Sequence, residues 1–215
     1  MRMKNLMLAL SVVLFSSGVA IAQDHSQHNH HDHMNHTTFK AEPVNKEHSI
    51  YHLDGEWQAH TGESLTLANF QGQPIVISMI YGSCTTACPV LVNDARRIFE
   101  ALPDAYKGEV KLVMVSFDQD RDTPAALAEY AAKYNLGDDV WTFLHGDDNN
   151  IRALATLLGV RYRKRADGDF DHSNLVTVLD VHGRVVERVE GLNRPVEEAV
   201  NALVKIIDEN HLLHR

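Results

Sequence analysis

The sequence predicts an α/β domain built on a largely parallel sheet, and three observations carry that prediction. Residues 74–81 and 110–117 are nearly continuous apolar runs of strand length, as strands are when both of their faces are covered. A stretch with helical apolar spacing follows each run, and such alternation of strand and helix builds parallel sheets. Further on, Leu175–Leu179 and residues 185–189 flank His182-Gly183 and read as an antiparallel hairpin closed by a glycine turn.

The chain begins with the pattern of an export signal. Arg2 and Lys4 form a basic start, residues 6–15 an apolar stretch, and Ala20-Ile21-Ala22 a small-residue cleavage site. Residues 1–22 are therefore read as a signal peptide. An uncleaved N-terminal anchor is the other reading, although the apolar stretch is short against the ~20 residues of a membrane span. Export places both cysteines in an oxidising compartment, read here as the periplasm. Without Arg2 and Lys4 the chain keeps 18 basic against 29 acidic residues, a net charge of −11. So acidic a balance excludes nucleic acid as a natural partner. The remaining length suits one domain with a sizeable core, and a monomer is expected.

Residues 23–48 form a leader. It carries His25, His28, His30, His31, His33 and His36, with Met34 among them. Its apolar content is too low to offset ordering, so disorder is expected. It is either a solvated spacer or a low-specificity metal-holding tract, since imidazole suits copper, nickel and zinc, and thioether suits Cu(I).

The folded domain is expected over residues 49–215. Residues 49–53 and the stretch 57–67 around Thr61-Gly62 read as short strands covering a sheet edge. Residues 69–73 turn into the first long strand. A helix is expected from Pro89, which a first turn tolerates, to Leu102, ahead of Pro103. After the second long strand, Thr123-Pro124 reads as cap and first turn of a helix with a face of Leu127, Tyr130, Ala131 and Tyr134. Trp141–His145 is a short strand. Residues 149–158 form a helix closed by Gly159, and Asp167-Gly168 marks a turn. The last helix has Val196, Ala199, Val200, Leu203, Ile206 and Ile207 on one face. This order is the thioredoxin arrangement with an N-terminal β extension and an inserted helix.

The chemistry collects at one edge of that sheet, beyond the C-terminal ends of the parallel strands. The only two cysteines, Cys84 and Cys88, lie in a strand-to-helix loop where the helix dipole favours thiolate. Asp118, Asp120 and Asp122 follow the second strand, and His172 directly precedes the strand from Leu175. Three readings of the cysteines stand side by side. A disulfide staple over so small a loop contributes only about 2 kcal/mol. A redox pair usually has C-x-x-C spacing and faces a proline, whereas here the spacing is C-x-x-x-C and the facing segment is Asp171-His172-Ser173. A metal site with two thiolates and one imidazole suits copper, Cu(I) especially. Asp118, Asp120 or Asp122 would then add an oxygen or orient His172. His145, at the end of a parallel strand, is the rival ligand. His48, His52, His60, His211 and His214 read as surface residues.

With these residues in hand, the chain resembles the Sco (SenC) family of exported copper-binding proteins linked to cytochrome c oxidase assembly. The resemblance rests on Tyr81-Gly82-Ser83-Cys84-x-x-x-Cys88-Pro89, on Ser116-Phe117-Asp118-x-x-x-Asp122-Thr123-Pro124 and on Asp171-His172-Ser173. It implies a thioredoxin-like fold, copper as the bound metal, and Cys84, Cys88 and His172 as its ligands. It further implies copper delivery to, or thiol reduction of, the CuA site in cytochrome c oxidase subunit II. A thioredoxin-like partner would then restore the thiols. The chain departs from many members in having Thr85 after the first cysteine and a cleavable signal in place of an anchor.

Overall fold

The computed structural model describes residues 38–137 and 139–213. A seven-stranded sheet forms the centre, in the order β2-β1-β5-β4-β3-β8-β9. Its strands are β1 (Glu56–Ala59), β2 (Ser64–Thr66), β3 (Ile75–Ile80), β4 (Lys111–Ser116), β5 (Trp141–His145), β8 (Leu175–Leu179) and β9 (Val185–Glu190). A separate hairpin joins β6 (Tyr162–Lys164) to β7 (Phe170–His172).

Strands β3, β4 and β5 run parallel, in a register that sets Ile80 beside Ser116 and Val115 beside Leu144. Strand β8 pairs antiparallel with β3, and β9 with β8. All six residues of β3 and the last five of β4 are buried, which is why neither run shows polar alternation. Helix α1 (Ala87–Glu100) packs over β3 and β8 and against α5 (Glu197–Leu213), which also covers β9. Helix α3 (Pro124–Lys133) lies on β5, and α4 (Asp148–Leu158) is the inserted helix. Because β3 and β4 are parallel neighbours, the loops leaving them emerge at the same edge, and β8 starts there. No helix of the described residues is long and apolar enough to cross a membrane.

The local signals act where expected. Thr123 Oγ1 accepts the Ala126 amide at 3.3 Å with Pro124 in the first turn, and Asp147 caps α4 through the Asn150 amide at 2.8 Å. Gly168 takes φ +87° at the tip of the β6–β7 hairpin, where an L side chain would be strained.

Several boundaries differ from the sequence reading. Residues 50–52 form a 3₁₀ turn, not a strand, because the Ser49 hydroxyl accepts the Tyr51 amide and closes the chain on itself. Helix α1 starts at Ala87, so Pro89 is its third residue, still among those whose N–H has no partner inside a helix. It ends at Glu100, and a short helix α2 (Asp104–Lys107) follows Pro103. The chain also lies on the domain from Phe39, ahead of the expected start at Ser49. Phe39 bridges to Ser173, and the Glu42 amide donates to the Gly159 carbonyl at 2.9 Å.

Candidate metal centre

The two sulfurs are positioned by the way helix α1 begins. Thr86 stands at its N-cap, yet the Thr86 side chain makes no capping bond. The acceptor is Cys84 Sγ instead, taking the Cys88 amide at 3.3 Å. A thiolate there satisfies an orphan amide and meets the positive end of the helix. The Cys88 thiol pointing at Cys84 is the largest cause holding the Cys84 pKa down to about 2. Burial works against it, and His172 and the Cys88 amide help. Cys88 moves the other way. Burial, then its hydrogen bond to Cys84, pushes its pKa well above the ordinary thiol value. Its sulfur also accepts the Tyr81 amide at 3.5 Å. The opposite shifts favour the thiolate on Cys84 and the proton on Cys88, and no disulfide joins the two.

His172 arrives from the far side of the sequence. It ends β7 opposite Tyr162 of β6, and the chain then turns into β8. Its Nδ1 lies 3.0 Å from the Ser173 carbonyl, an acceptor only, so Nδ1 donates there and Nε2 is the ring atom left to face the sulfurs. That Nε2 is 3.9 Å from Cys88 Sγ. The donor atoms of Cys84, Cys88 and His172, all three buried, lie within 4.8 Å of one another. A metal bound at about 2–2.3 Å to nitrogen and sulfur has donors up to about 4.6 Å apart. The cluster fits such an ion with a small contraction, and its soft donor set suits copper over hard cations. The rings of Tyr81 and Phe117 stand 5.9 and 5.3 Å from the imidazole, which is buried.

The aspartates do not join this cluster. Asp122 Oδ2 accepts the Gly82 amide at 2.7 Å and the Ser116 hydroxyl at 2.5 Å, so it ties the cysteine loop to the end of β4. Burial raises its pKa against the pull of those two bonds. Asp118 pairs with Arg121, and exposed Asp120 pairs with Lys164 at 2.7 Å. The partner that orients His172 is the Ser173 carbonyl, not a carboxylate, because the imidazole folds back onto its own strand end. His145 is held away from the sulfurs, its Nδ1 donating to the Asp122 carbonyl at 2.9 Å. His60 is not a surface residue: it is 8% exposed, and its Nδ1 accepts the Phe143 amide at 3.2 Å. His48, His52 and His211 are exposed. The histidines at 25, 28, 30, 31, 33 and 36, and His214, lie outside the described residues.

Arg121 was not singled out by the sequence. It joins Asp118 to the Gly168 carbonyl at 2.6 Å and stands 6.0 Å from the Tyr81 ring centre. One guanidinium thus touches the β4 loop, the cysteine loop and the tip of the hairpin that carries His172. Asp118 is three residues away, but Tyr81 and Gly168 lie forty or more positions off on either side, so no local pattern marks its bridging role.

A thioredoxin-like domain with a buried Cys–Cys–His cluster of metal-holding geometry is the class that fold and cluster define. Residues 45–208 match the SCO1/SenC family model, and the chain belongs to that family. It is 24% identical to the SCO1 protein homolog of Bacillus subtilis over 67% of this chain and 77% of that one. The structure of Bradyrhizobium japonicum ScoI with copper bound matches at 27% identity and a TM-score of 0.57, covering 71% of this chain and 96% of that one. BsSco, a member of the Sco family of cytochrome c oxidase assembly proteins with an identified disulfide switch, matches at 23% identity and a TM-score of 0.62, covering 78% and 96%. The chain spans 62% to 77% of the length of the curated relatives it matches.

Proposed function

We propose that this chain is an exported copper chaperone. Cys84, Cys88 and His172 bind copper, and the metal passes to a cuproprotein client by ligand exchange. The client favoured is the CuA site of cytochrome c oxidase subunit II. Residues 1–22 act as a cleaved signal peptide, and the mature protein works in the periplasm as a monomer. The observation that carries this reading is the convergence of two sulfurs and one imidazole nitrogen within 4.8 Å, from segments over eighty positions apart. Family membership and the copper bound to Bradyrhizobium japonicum ScoI support copper as the metal. The test is Cu(I) titration of the reduced mature protein beside a Cys84→Ser/Cys88→Ser variant that keeps the leader. Binding no tighter in the native chain than in the variant ends the proposal.

A second reading has its own observation. Two sulfurs are held side by side without a disulfide, Cys84 pushed toward the thiolate and Cys88 away from it, as a dithiol reductant requires. In that reading the pair reduces client cysteines before they are metallated, and a thioredoxin-like partner restores it. Exchange with an oxidised client peptide measures it, and an absence of exchange removes it.

A further inference from the structure

The hairpin that carries His172 stands outside the central sheet, and a two-stranded hairpin by itself is marginal in water. The third donor of the centre therefore needs a hold from elsewhere. Strand β6 and the residue before it supply part of that hold. The Ser173 amide donates to the Arg161 carbonyl at 2.8 Å, and the Arg161 amide donates to the Ser173 hydroxyl at 3.0 Å. Within one trans peptide unit the N–H and the C=O point opposite ways. The His172 carbonyl shares its peptide with the Ser173 amide, so it faces away from Arg161, and there it accepts the Phe39 amide at 3.2 Å. Phe39 also bridges to Ser173, whose carbonyl holds the imidazole through Nδ1. One peptide unit at the ligand is thus gripped from both sides, by Arg161 and by Phe39.

Phe39 is itself fixed by side chains. Arg161 and Arg163 are two positions apart, hence on one face of an extended chain, and their guanidinium carbons stand 4.9 and 5.4 Å from the Phe39 ring centre. The residues that follow are tied to other elements. The Ala41 amide donates to Glu190 Oε1 at 2.8 Å, and the Glu42 carbonyl accepts from Arg188 at 2.7 Å. Phe39 is only half-buried and stands outside the hydrophobic core, so packing of the core does not account for these holds. The centre has little slack to spare. Its donor atoms lie within 4.8 Å of one another, against the separation of up to about 4.6 Å that a shared metal allows. We infer that Phe39 is a positioning residue for the third ligand: it fixes the His172–Ser173 peptide and so keeps the imidazole within reach of a metal held by Cys84 and Cys88. The inference rests on the proposal that these three residues bind copper.

The test is a double-mutant cycle read as Cu(I) affinity of the reduced protein, by competition with a coloured chelator. Phe39→Pro removes both the amide donor and the ring, and Phe39→Tyr keeps both. Each is made in the native chain and in the His172→Ala chain. In the native background Phe39→Pro should weaken Cu(I) binding about tenfold, the lower end of what disturbing a group behind a ligand costs. Phe39→Tyr should stay within about twofold of native. In the His172→Ala background Phe39→Pro should change affinity by less than about twofold, because the group it positions is gone and the two effects cannot add. Amide exchange at residues 172–174 should quicken in Phe39→Pro, with α5 unchanged. Native affinity in Phe39→Pro overturns the inference. So does an equal loss in both backgrounds, which is what general loosening or misfolding of the domain would produce. Failure of the centre itself looks different: the native and His172→Ala chains would then bind Cu(I) equally, whatever stands at position 39.

Discussion

The proton inventory of the cysteine pair dictates how metal affinity must change with pH. Cys84 is a thiolate throughout the ordinary range, its pKa pushed down to about 2 chiefly by the Cys88 thiol that points at it. Cys88 keeps its proton because burial penalises its charged form. A metal that takes both sulfurs therefore displaces one proton, where two ordinary thiols titrating at about 8.5 release nearly two. From pH 7 to 8, above the range in which imidazoles ordinarily titrate, Cu(I) affinity should rise about tenfold, or about 1.4 kcal/mol. Two ordinary thiols would give a rise approaching a hundredfold. Competition with a sulfonated phenanthroline-type chelator, itself not titrating in this range, measures the slope. Alkylation gives an independent readout. Cys84 should react at a rate nearly flat from pH 5 to 8, whereas an ordinary thiol speeds up about tenfold per unit. Its absolute rate is no guide, because nucleophilicity falls with pKa at a Brønsted slope of about 0.4–0.5. A twofold proton release, or a Cys84 rate climbing tenfold per pH unit, refutes the one-proton pair.

Three substitutions probe what holds the centre. In Gly82→Ala the new Cβ would stand 2.8 Å from Asp122 Oδ1, while Asp122 is already fixed by two hydrogen bonds. A loss of about 1–3 kcal/mol in urea denaturation is expected, with weaker metal binding, and unchanged values of both would contradict the tie. Arg121→Gln should quicken amide exchange across residues 162–172 and leave α5 unchanged. Its cost in global stability stays below about 1 kcal/mol, since the guanidinium is 40% exposed; equal exchange in both chains would deny Arg121 its hold on the hairpin. Gly159 ends α4 at φ +73°, and a Cβ there would lie 2.4 Å from the Glu42 carbonyl. Gly159→Ala should cost more than about 1 kcal/mol and loosen residues 39–42 in hydrogen exchange; a change under about 0.5 kcal/mol would count against that packing.

What the sequence revealed follows from how far each signal reaches. The all-apolar runs of β3 and β4 announce a doubly covered sheet, and two parallel strands imply a shared edge. Placing His172 near Cys84 and Cys88 needed only that topology. The hydrogen bonds of the site were hidden because each depends on local backbone detail. The sequence reads Asp122 as a ligand or an orienter of His172, and the position of the Gly82 amide makes it a tie for the cysteine loop instead. His60 carries no mark in the sequence that separates a buried acceptor for the Phe143 amide from a surface imidazole. Phe39 follows so many polar residues that composition assigned it to the leader. Its partners, His172 and Ser173, lie at the other end of the chain.

The two proposed activities draw on the same sulfurs and exclude one another in time, and His172 is where they part. Forming a disulfide removes two electrons and the Cys88 proton, leaving no thiolate for a soft ion. Binding copper occupies both sulfurs and stops exchange with a client disulfide. The thiolate character of Cys84 comes first from the Cys88 thiol, with the imidazole a lesser contributor. The third metal contact, by contrast, has no substitute in the cluster. His172→Ala should therefore weaken Cu(I) binding by well over tenfold, since disturbing even a group behind a ligand typically costs 10–100-fold. Reduction of an oxidised peptide should persist within a fewfold of the native rate. Chelator competition and peptide exchange on the same preparation give both numbers. Were the variant to keep its metal affinity and lose exchange, the imidazole would belong to thiol chemistry, and the three-donor centre would be the wrong description of this edge.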